Sequence, residues 1–466
     1  MQLQSNNSKM FDFAIIGGGV VGCAMARQLV LDGAKVILLE KAADILDGAS
    51  KGNSAILHTG FDAPVGSLEQ KCITKGYEDY LALHEQMELP ILKSGAMVLA
   101  WNTQQEAKLD ELIDQAHQNG VADVIRLTRQ QILDREPNLS PNVKGGFLVP
   151  GECLIDPWSS PHAYLTQALL NGGEVRRNAE LLSGSFEGDH WHLNTQAGSI
   201  TARTVISCAG LYGDVVNQRL IGKKLFSIRP RKGQFVVFDK AASKVSSTII
   251  LPVPTATTKG IVVCRTIFGN LLIGPTAEEQ ESRTDASTER ETLRDLRQKG
   301  IDMFPTLANY DIAATYAGLR PASEEKDYRL TYLAEQNYLS VGGIRSTGLS
   351  SALGLARYCA EELLKSSKNF SAIKGPIIPK ANRLSDYHPR DWQGSDHGEI
   401  VCHCEMVTKR EIEQALQDPL PAKSLQGLKR RTRAAMGRCQ GFNCMGTLAS
   451  LTEGHFDRPI GEADHD

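Results

Sequence analysis

Four cysteines stand in two close pairs near the C-terminal end of the chain, Cys402-His403-Cys404 and, after 34 further residues, Cys439-Gln-Gly-Phe-Asn-Cys444. Four thiolates grouped this way can bind a metal centre. Zinc is one candidate, but structural zinc sites favour two to four residues between paired cysteines, and the first pair has only one. At the other end, Gly17-Gly18-Gly19-Val20-Val21-Gly22 follows an apolar run and precedes a second one, Lys35 to Leu39, that stops at Glu40. Gly17 permits a tight turn, Gly19 lets backbone N–H groups approach a pyrophosphate, and Gly22 lets helix and strand pack closely. Glu40, 18 positions after Gly22, is at the reach from which a carboxylate accepts hydrogen bonds from an adenosine ribose. Between these ends, His58 in Asn53-Ser54-Ala-Ile-Leu-His58-Thr-Gly60 carries an imidazole, which titrates in the range useful for moving a proton.

These residues need elements to hold them. Phe11 to Lys41 reads as a strand, glycine turn, helix and strand. Gly66–Leu89 is expected to be helical and Ile91–Trp101 a strand, followed by an amphipathic helix over Thr103–Asn119. A helix is expected over Pro161–Asn171, ended by Gly172-Gly173, with a small β-meander from Glu174 to Val205 running into Ala209-Gly210. Ser227–Pro275 is strand-rich and suits a separate antiparallel sheet forming one wall of a pocket. Ser287–Met303 reads as helix. Gly342-Gly343-Ile-Arg345-Ser-Thr-Gly348-Leu349 then leads into an apolar helix, making a second helix N-terminus suited to a polar cofactor edge. The proline-bearing stretch Lys365–Glu399 reads as a linker.

The bulk properties narrow the class. The length, 466 residues, suits two or three domains. A net charge of −3 gives no electrostatic reason to expect nucleic acid or an anionic membrane surface. No apolar run is long enough to span a bilayer, and the polar stretch Met1–Lys9 lacks a signal-peptide core, so the expected place is the cytoplasm, with peripheral contact on the inner face of the membrane left open. Cys23, Cys72, Cys153, Cys208, Cys264 and Cys359 lie in apolar or small-residue segments and read as buried hydrophobes of a reducing compartment.

The N-terminal fingerprint, the Asn53–Gly60 segment, Ala209-Gly210-Leu211, Gly318-Leu-Arg320-Pro321 and the Gly342–Leu349 run together resemble the D-amino-acid-oxidase-like superfamily of FAD enzymes over most of Phe11–Leu364. Within it, Asn53–Gly60 followed by Gly66-Ser67-Leu68 looks closest to L-2-hydroxyglutarate dehydrogenases and to the large subunit of anaerobic glycerol-3-phosphate dehydrogenase. The cysteine spacing and the Cys-Gln-Gly-Phe-x-Cys run resemble the bacterioferritin-associated-ferredoxin-like 2Fe–2S domain, which those dehydrogenases carry at their C-termini. The resemblance implies an α/β fold: a Rossmann-like FAD-binding domain, an inserted α+β substrate domain built on an antiparallel sheet, and a small helical iron–sulfur domain. The expected boundaries are 10–90, 146–225 and 310–366 for the FAD domain, 91–145 and 226–309 for the substrate domain, 367–397 for the linker and 398–457 for the 2Fe–2S domain.

It further implies FAD contacts at Gly17, Gly19, Val20, Val21, Gly22, Glu40, Lys41, Ser50, Asn53, Ser54, Ala209, Gly210, Gly343, Arg345, Gly348 and Leu349, with cluster ligands Cys402, Cys404, Cys439 and Cys444. Arg320 inherits the role of anion anchor, for which a guanidinium's planar fork is suited. His58 inherits a place near flavin N5 as base or hydroxyl-orienting group, with Arg345 and Lys232 as secondary candidates. The implied activity is an FAD-dependent dehydrogenase of a small hydroxylated anion that passes electrons singly through the cluster to a quinone or carrier protein. 2-Hydroxy acids such as L-2-hydroxyglutarate stand first as substrates, glycerol 3-phosphate next, and an amino acid or opine third. The contrasting reading is a non-catalytic electron-transfer subunit. The basic run Lys429-Arg430-Arg431-Thr432-Arg433 reads as a solvated helix face, a docking patch for an acidic partner, or charge compensation for an anionic cluster.

Overall fold

The computed structural model describes residues 10–254, 260–365 and 370–462; the Met1–Lys9 segment and the expected 366/367 domain boundary lie outside them. Parallel strands Glu174–Arg176, Val36–Leu39, Met10–Ile16, Gly198–Ser207 and Tyr338–Gly342 lie side by side in that order. Alternate residues of these strands point to opposite faces. Phe13, Ile15, Val36 and Leu38 join Met25, Leu29, Leu165 and Leu355, from the helices Val20–Leu31, Ser159–Leu170 and Gly348–Tyr358, in one core. Ala14, Ile16, Ile37 and Leu39 join Trp191, Val205, Val216 and Leu220 in the other. Burial on both sides explains why these strands are apolar runs rather than alternating ones. The expected meander begins later than Glu174: Glu174–Arg176 is the parallel edge strand beside Val36–Leu39, and the antiparallel part comprises Leu181–Glu187, His190–Thr195 and the first half of Gly198–Ser207.

A nine-stranded sheet forms the second layer. Its long ribbon pairs Ile228–Phe238 antiparallel with Ile312–Ser323, in register from Ile228 opposite Ser323 to Val237 opposite Ala314, with a shift before Phe238 opposite Ile312. The strand Ile312–Ser323, assigned to the FAD domain from the sequence, is therefore hydrogen-bonded into the second sheet; so is Gly145–Val149, which pairs with Ala96–Ala100. The backbone ladder of Gly318-Leu-Arg320-Pro321 belongs to this ribbon, and these residues line the cavity between the layers. A three-stranded sheet of Ile56–Leu57, Cys153–Ile155 and Ile91–Leu92 closes one end.

The C-terminal unit packs the hairpin Ile400–Cys402/Val407–Thr408 with helices Lys409–Gln417, Leu425–Thr432 and Met445–Leu451 around its own apolar core. Thr408 and Glu411 form the reciprocal cap at the start of the first of these helices. Among the described residues, no helix is long and apolar enough to cross a membrane.

Candidate functional site

A cavity of about 400 Å³ runs between the parallel sheet and the long ribbon. Of the expected cofactor contacts, Gly17, Gly19, Val20, Val21, Glu40, Lys41, Ser50, Asn53, Ser54, Ala209, Gly210, Gly343, Arg345, Gly348 and Leu349 line it. Gly22 does not: a Cβ there would sit 1.9 Å from Gly17 O, so this glycine serves the helix–turn packing. Gly17 combines a φ of +109° with a close approach to Cys208 O, where a Cβ would come within 2.6 Å. A Cβ on Gly19 would meet only Ser50 Oγ, at 3.2 Å, so backbone leaves that side open for a ligand.

Two helices, Val20–Leu31 and Gly348–Tyr358, begin at the cavity, and neither has a side-chain cap. Their N-termini offer partial positive charge and N–H groups to an anion such as a pyrophosphate or a flavin carbonyl edge. Ser50 Oγ accepts the Val20 N–H at 3.1 Å, which places Ser50 at the first of them. Glu40 accepts from Gly18 N–H at 2.7 Å and Ala42 N–H at 2.8 Å, each oxygen keeping acceptor capacity for ribose hydroxyls. Burial raises its pKa despite these bonds. The Lys41 ammonium sits 3.7 Å from the centre of the Tyr212 ring. Asn53 fixes its own turn, its side chain bonding Ala55 N–H and Ser50 O.

Arg320 faces the cavity from the ribbon. Its only described hydrogen bond runs from Nη2 to Thr276 O at 3.1 Å, and no carboxylate lies within ion-pair distance among the described residues. Desolvation and the nearby Arg231, directly opposite in the ribbon register, push its pKa down to about 10 against the opposing pull of Glu278, so this half-buried group is a cation at pH 7. Arg345 also lines the cavity, and its Nη2 is spent on Ser323 O and Glu325 O. Lys232 lies outside the cavity wall, paired with Glu289 at 3.3 Å.

His58 is likewise not part of that wall. It stands one layer back, its N–H on Ser350 Oγ at 2.9 Å, in the helix that starts with the wall residues Gly348 and Leu349. Its Nδ1 meets Glu152 Oε2 at 2.8 Å. Glu152 is fully buried, and its other oxygen accepts from Thr59 N–H and Thr59 Oγ1 at 2.7 and 2.9 Å. This carboxylate was missed in the sequence. The pairing of Ile56–Leu57 with Cys153–Ile155 brings it beside His58, and no local pattern announces that pairing.

In the C-terminal unit the four cysteines converge as two contacting pairs, Cys404 with Cys439 and Cys402 with Cys444. No three His, Cys, Asp or Glu side chains surround a single point for one metal ion among the described residues. Two thiol pairs suit a two-iron cluster better than one zinc ion. Backbone N–H groups of Asn443, Gly441 and Phe442 turn onto Cys439 and lower its pKa, while burial pushes Cys444 up to about 11. The loop needs unusual backbone to do this: Ala435, Gln440 and Gly441 all have positive φ, and a Cβ on Gly437 would fall 2.3 Å from Cys404 Cβ.

The basic run is neither a solvated face nor a free docking patch. Arg430 and Arg433 are buried. Arg431 pairs with Asp44 at 2.8 Å, Arg430 donates to Ile45 O at 3.0 Å, and Arg433 pairs with Glu405 at 2.8 Å. Asp44 also accepts from Lys423 N–H and Ser424 Oγ. The acidic partner is thus the protein's own FAD-binding layer, just past Glu40.

Residues 12–362 match the family described as FAD dependent oxidoreductase (DAO). The chain belongs to it. Residues 400–453 match the BFD-like [2Fe-2S] binding domain. A glycerol 3-phosphate dehydrogenase of Caloramator mitchellensis is 33% identical over 93% of this chain and 92% of its own length. An L-2-hydroxyglutarate dehydrogenase of Indibacter alkaliphilus is 28% identical over 57% of this chain and 68% of its own. The solved structure of L-alpha-glycerophosphate oxidase from Mycoplasma pneumoniae with FAD bound shares the fold, with a TM-score of 0.74 and 24% identity over 80% of this chain and 98% of that one. The protein is an FAD-dependent oxidoreductase of the dehydrogenase type with a 2Fe–2S domain, as the resemblance implied. The residues present fit both groups.

Proposed function

We propose that the protein oxidises glycerol 3-phosphate at its secondary hydroxyl and passes the electrons one at a time to the cluster and on to a quinone or carrier. The order of substrates expected from the sequence, with L-2-hydroxyglutarate first, is reversed here. The likeness to the Caloramator mitchellensis dehydrogenase extends through the cluster region, whereas the likeness to the L-2-hydroxyglutarate dehydrogenase covers a little over half the chain. The observation that carries the reading is Arg320, a half-buried cation facing the cavity, with no carboxylate in ion-pair contact among the described residues and only Glu278 acting on it from further off. Such a group favours an anionic ligand, because a desolvated charge without an ion-pair partner is costly.

FAD, when bound, supplies the hydride acceptor. The chain's own groups do the rest. Arg320 clamps the phosphate and so orients the carbinol C–H. His58 takes the hydroxyl proton at Nε2, its Nδ1–H held on Glu152 Oε2 so that the ring keeps one tautomer and one orientation. The imidazole lies one layer behind the cavity wall, and such catalytic contacts commonly tighten only when substrate is seated. The Glu40 carboxylate and the two helix N-termini hold the cofactor.

The test is anaerobic mixing of holoenzyme with glycerol 3-phosphate, L-2-hydroxyglutarate and a set of amino acids, following flavin absorbance. Glycerol 3-phosphate is expected to bleach the flavin with the highest second-order rate constant, and Arg320→Gln to lose that preference while keeping FAD. Faster bleaching by a hydroxy or amino acid would replace the substrate assignment. An unchanged rate in Arg320→Gln would remove the anchor.

A further inference from the structure

A continuous stack of flat side chains joins the cofactor cavity to the cluster unit. Trp158 follows Pro157, a wall residue, and its Nε1 donates at 3.2 Å to the backbone oxygen of Lys51, another wall residue. The indole lies almost parallel to the Phe268 ring, with centroids 5.8 Å and planes 13° apart. The Arg433 guanidinium covers the same phenyl ring, 4.0 Å from its centroid. Arg433 Nε then donates to Glu405 Oε2 at 2.8 Å, and Glu405 directly follows the cluster ligand Cys404.

Each member is held in place. Asp156 Oδ1 accepts the Trp158 N–H at 2.9 Å, Phe268 and Arg433 are 5% and 6% exposed, and Arg433 adopts a left-handed φ of +67° that side-chain-bearing residues rarely take. A strained backbone at a non-glycine residue persists only where the surroundings fix it. Here it brings the guanidinium over Phe268 and onto Glu405 together.

We propose that Trp158, Phe268 and Arg433 form the contact bridge by which single electrons pass from the flavin cavity to the cluster, with Arg433 holding the cluster unit in register. The inference rests on the redox reading above. Electron tunnelling falls off more gently through packed, bonded atoms than across a gap or water, and this stack replaces a gap at the junction of the two units. Each passage oxidises the flavin side by one electron and reduces one iron of the cluster by one; no atom or proton crosses the stack.

The test uses holoenzyme carrying both groups. A flash photoreductant delivers less than one electron per protein, and the relaxation of that electron between flavin and cluster is followed by absorbance. Phe268→Leu, which keeps an apolar filler but removes the ring, is expected to slow the relaxation by about tenfold, or about 1.4 kcal/mol of barrier. Phe268→Tyr, which keeps the ring, is expected to restore it. Arg433→Lys, which keeps the charge but loses the planar stack, is expected to slow it as well, and it serves if Phe268→Leu loses its cluster signal. Arg438→Ala, which removes only the ion pair to Asp239 at the same junction, is expected to leave the rate unchanged. Wild-type relaxation with undiminished rates in Phe268→Leu or Arg433→Lys would overturn the bridge, as would equal slowing by Arg438→Ala. No relaxation in the wild type would refute the flavin-to-cluster reading itself.

Discussion

Replacing Gly233 with Ala tests the anion anchor without touching it chemically. Gly233 has no positive φ, so the backbone accepts alanine, but the new Cβ would sit 2.4 Å from Arg320 Nη2 and 2.8 Å from Pro275 Cβ. Ordinary contact begins near 3.4 Å, so the guanidinium must move by about 1 Å. The guanidinium is the free end of a long side chain and gives way cheaply, but the Pro275 ring does not, so a stability cost accompanies the change. The functional cost is larger, because a misplacement of about 1 Å in a positioned group lowers rates by about 10²-fold. Gly233→Ala is therefore expected to bind FAD with normal absorbance and to unfold at a lower temperature than wild type. Its kcat/KM for glycerol 3-phosphate is expected to fall by about 10²-fold, or about 2.7 kcal/mol. Saturation binding of FAD, a thermal melt and steady-state kinetics with an artificial dye check the three parts. Wild-type kcat/KM with the side chain present would refute the assignment of Arg320 as the group that orients the substrate.

Three further outcomes follow from other contacts. Glu152→Gln keeps the size of the group that orients His58 but loses its charge; kcat is expected to fall by about 10²-fold with FAD retained, the lower end of general-base effects. Asp44→Asn leaves Arg431 and Arg177 short of their buried partner; breaking such a pair costs about 3–5 kcal/mol, read as faster amide exchange in the helix Leu425–Thr432 and a lower melting temperature. Asp214, paired with Arg283 and bonded by Ile228 N–H, has its pKa held below the usual value by that arginine and those bonds. The stability it adds is complete above the ordinary carboxylate range and is lost as pH falls through the folded pKa, so the difference in urea midpoint between wild type and Asp214→Asn should vanish in acid.

Much of the architecture was legible because its causes are local. Gly17 is called for by its positive φ and Gly22 by its contact with Gly17 O, both inside the βαβ turn, and the apolar runs around them reflect strands buried on both faces. The four cysteines were legible because each pair sits within a few residues of chain, Cys402/Cys404 and Cys439/Cys444. What was hidden depends on distant partners. Glu152 reaches His58 only through the pairing of two very short strands, across 94 positions. The Gly318-Leu-Arg320-Pro321 motif implies an anion anchor, but only the register of Ile312–Ser323 against Ile228–Phe238 brings Arg320 to the cavity. The basic run looked solvated because its charges are dense in sequence; Asp44 and Asp47, nearly four hundred residues earlier, bury and neutralise it. Lys232 stands in a basic stretch beside a proline, which makes it a secondary candidate for a role beside His58, whereas Glu289 from the start of a helix pairs with it.

The central claim is that substrate electrons enter at the flavin and leave through the four-cysteine cluster. Its most direct measurement is anaerobic addition of glycerol 3-phosphate to holoenzyme, with flavin absorbance and the paramagnetic signal of the reduced cluster followed on one sample. Flavin bleaching accompanied by a reduced 2Fe–2S signal that disappears in Cys439→Ser is the predicted result. Bleaching with a cluster that stays oxidised, or no bleaching at all, would contradict the account.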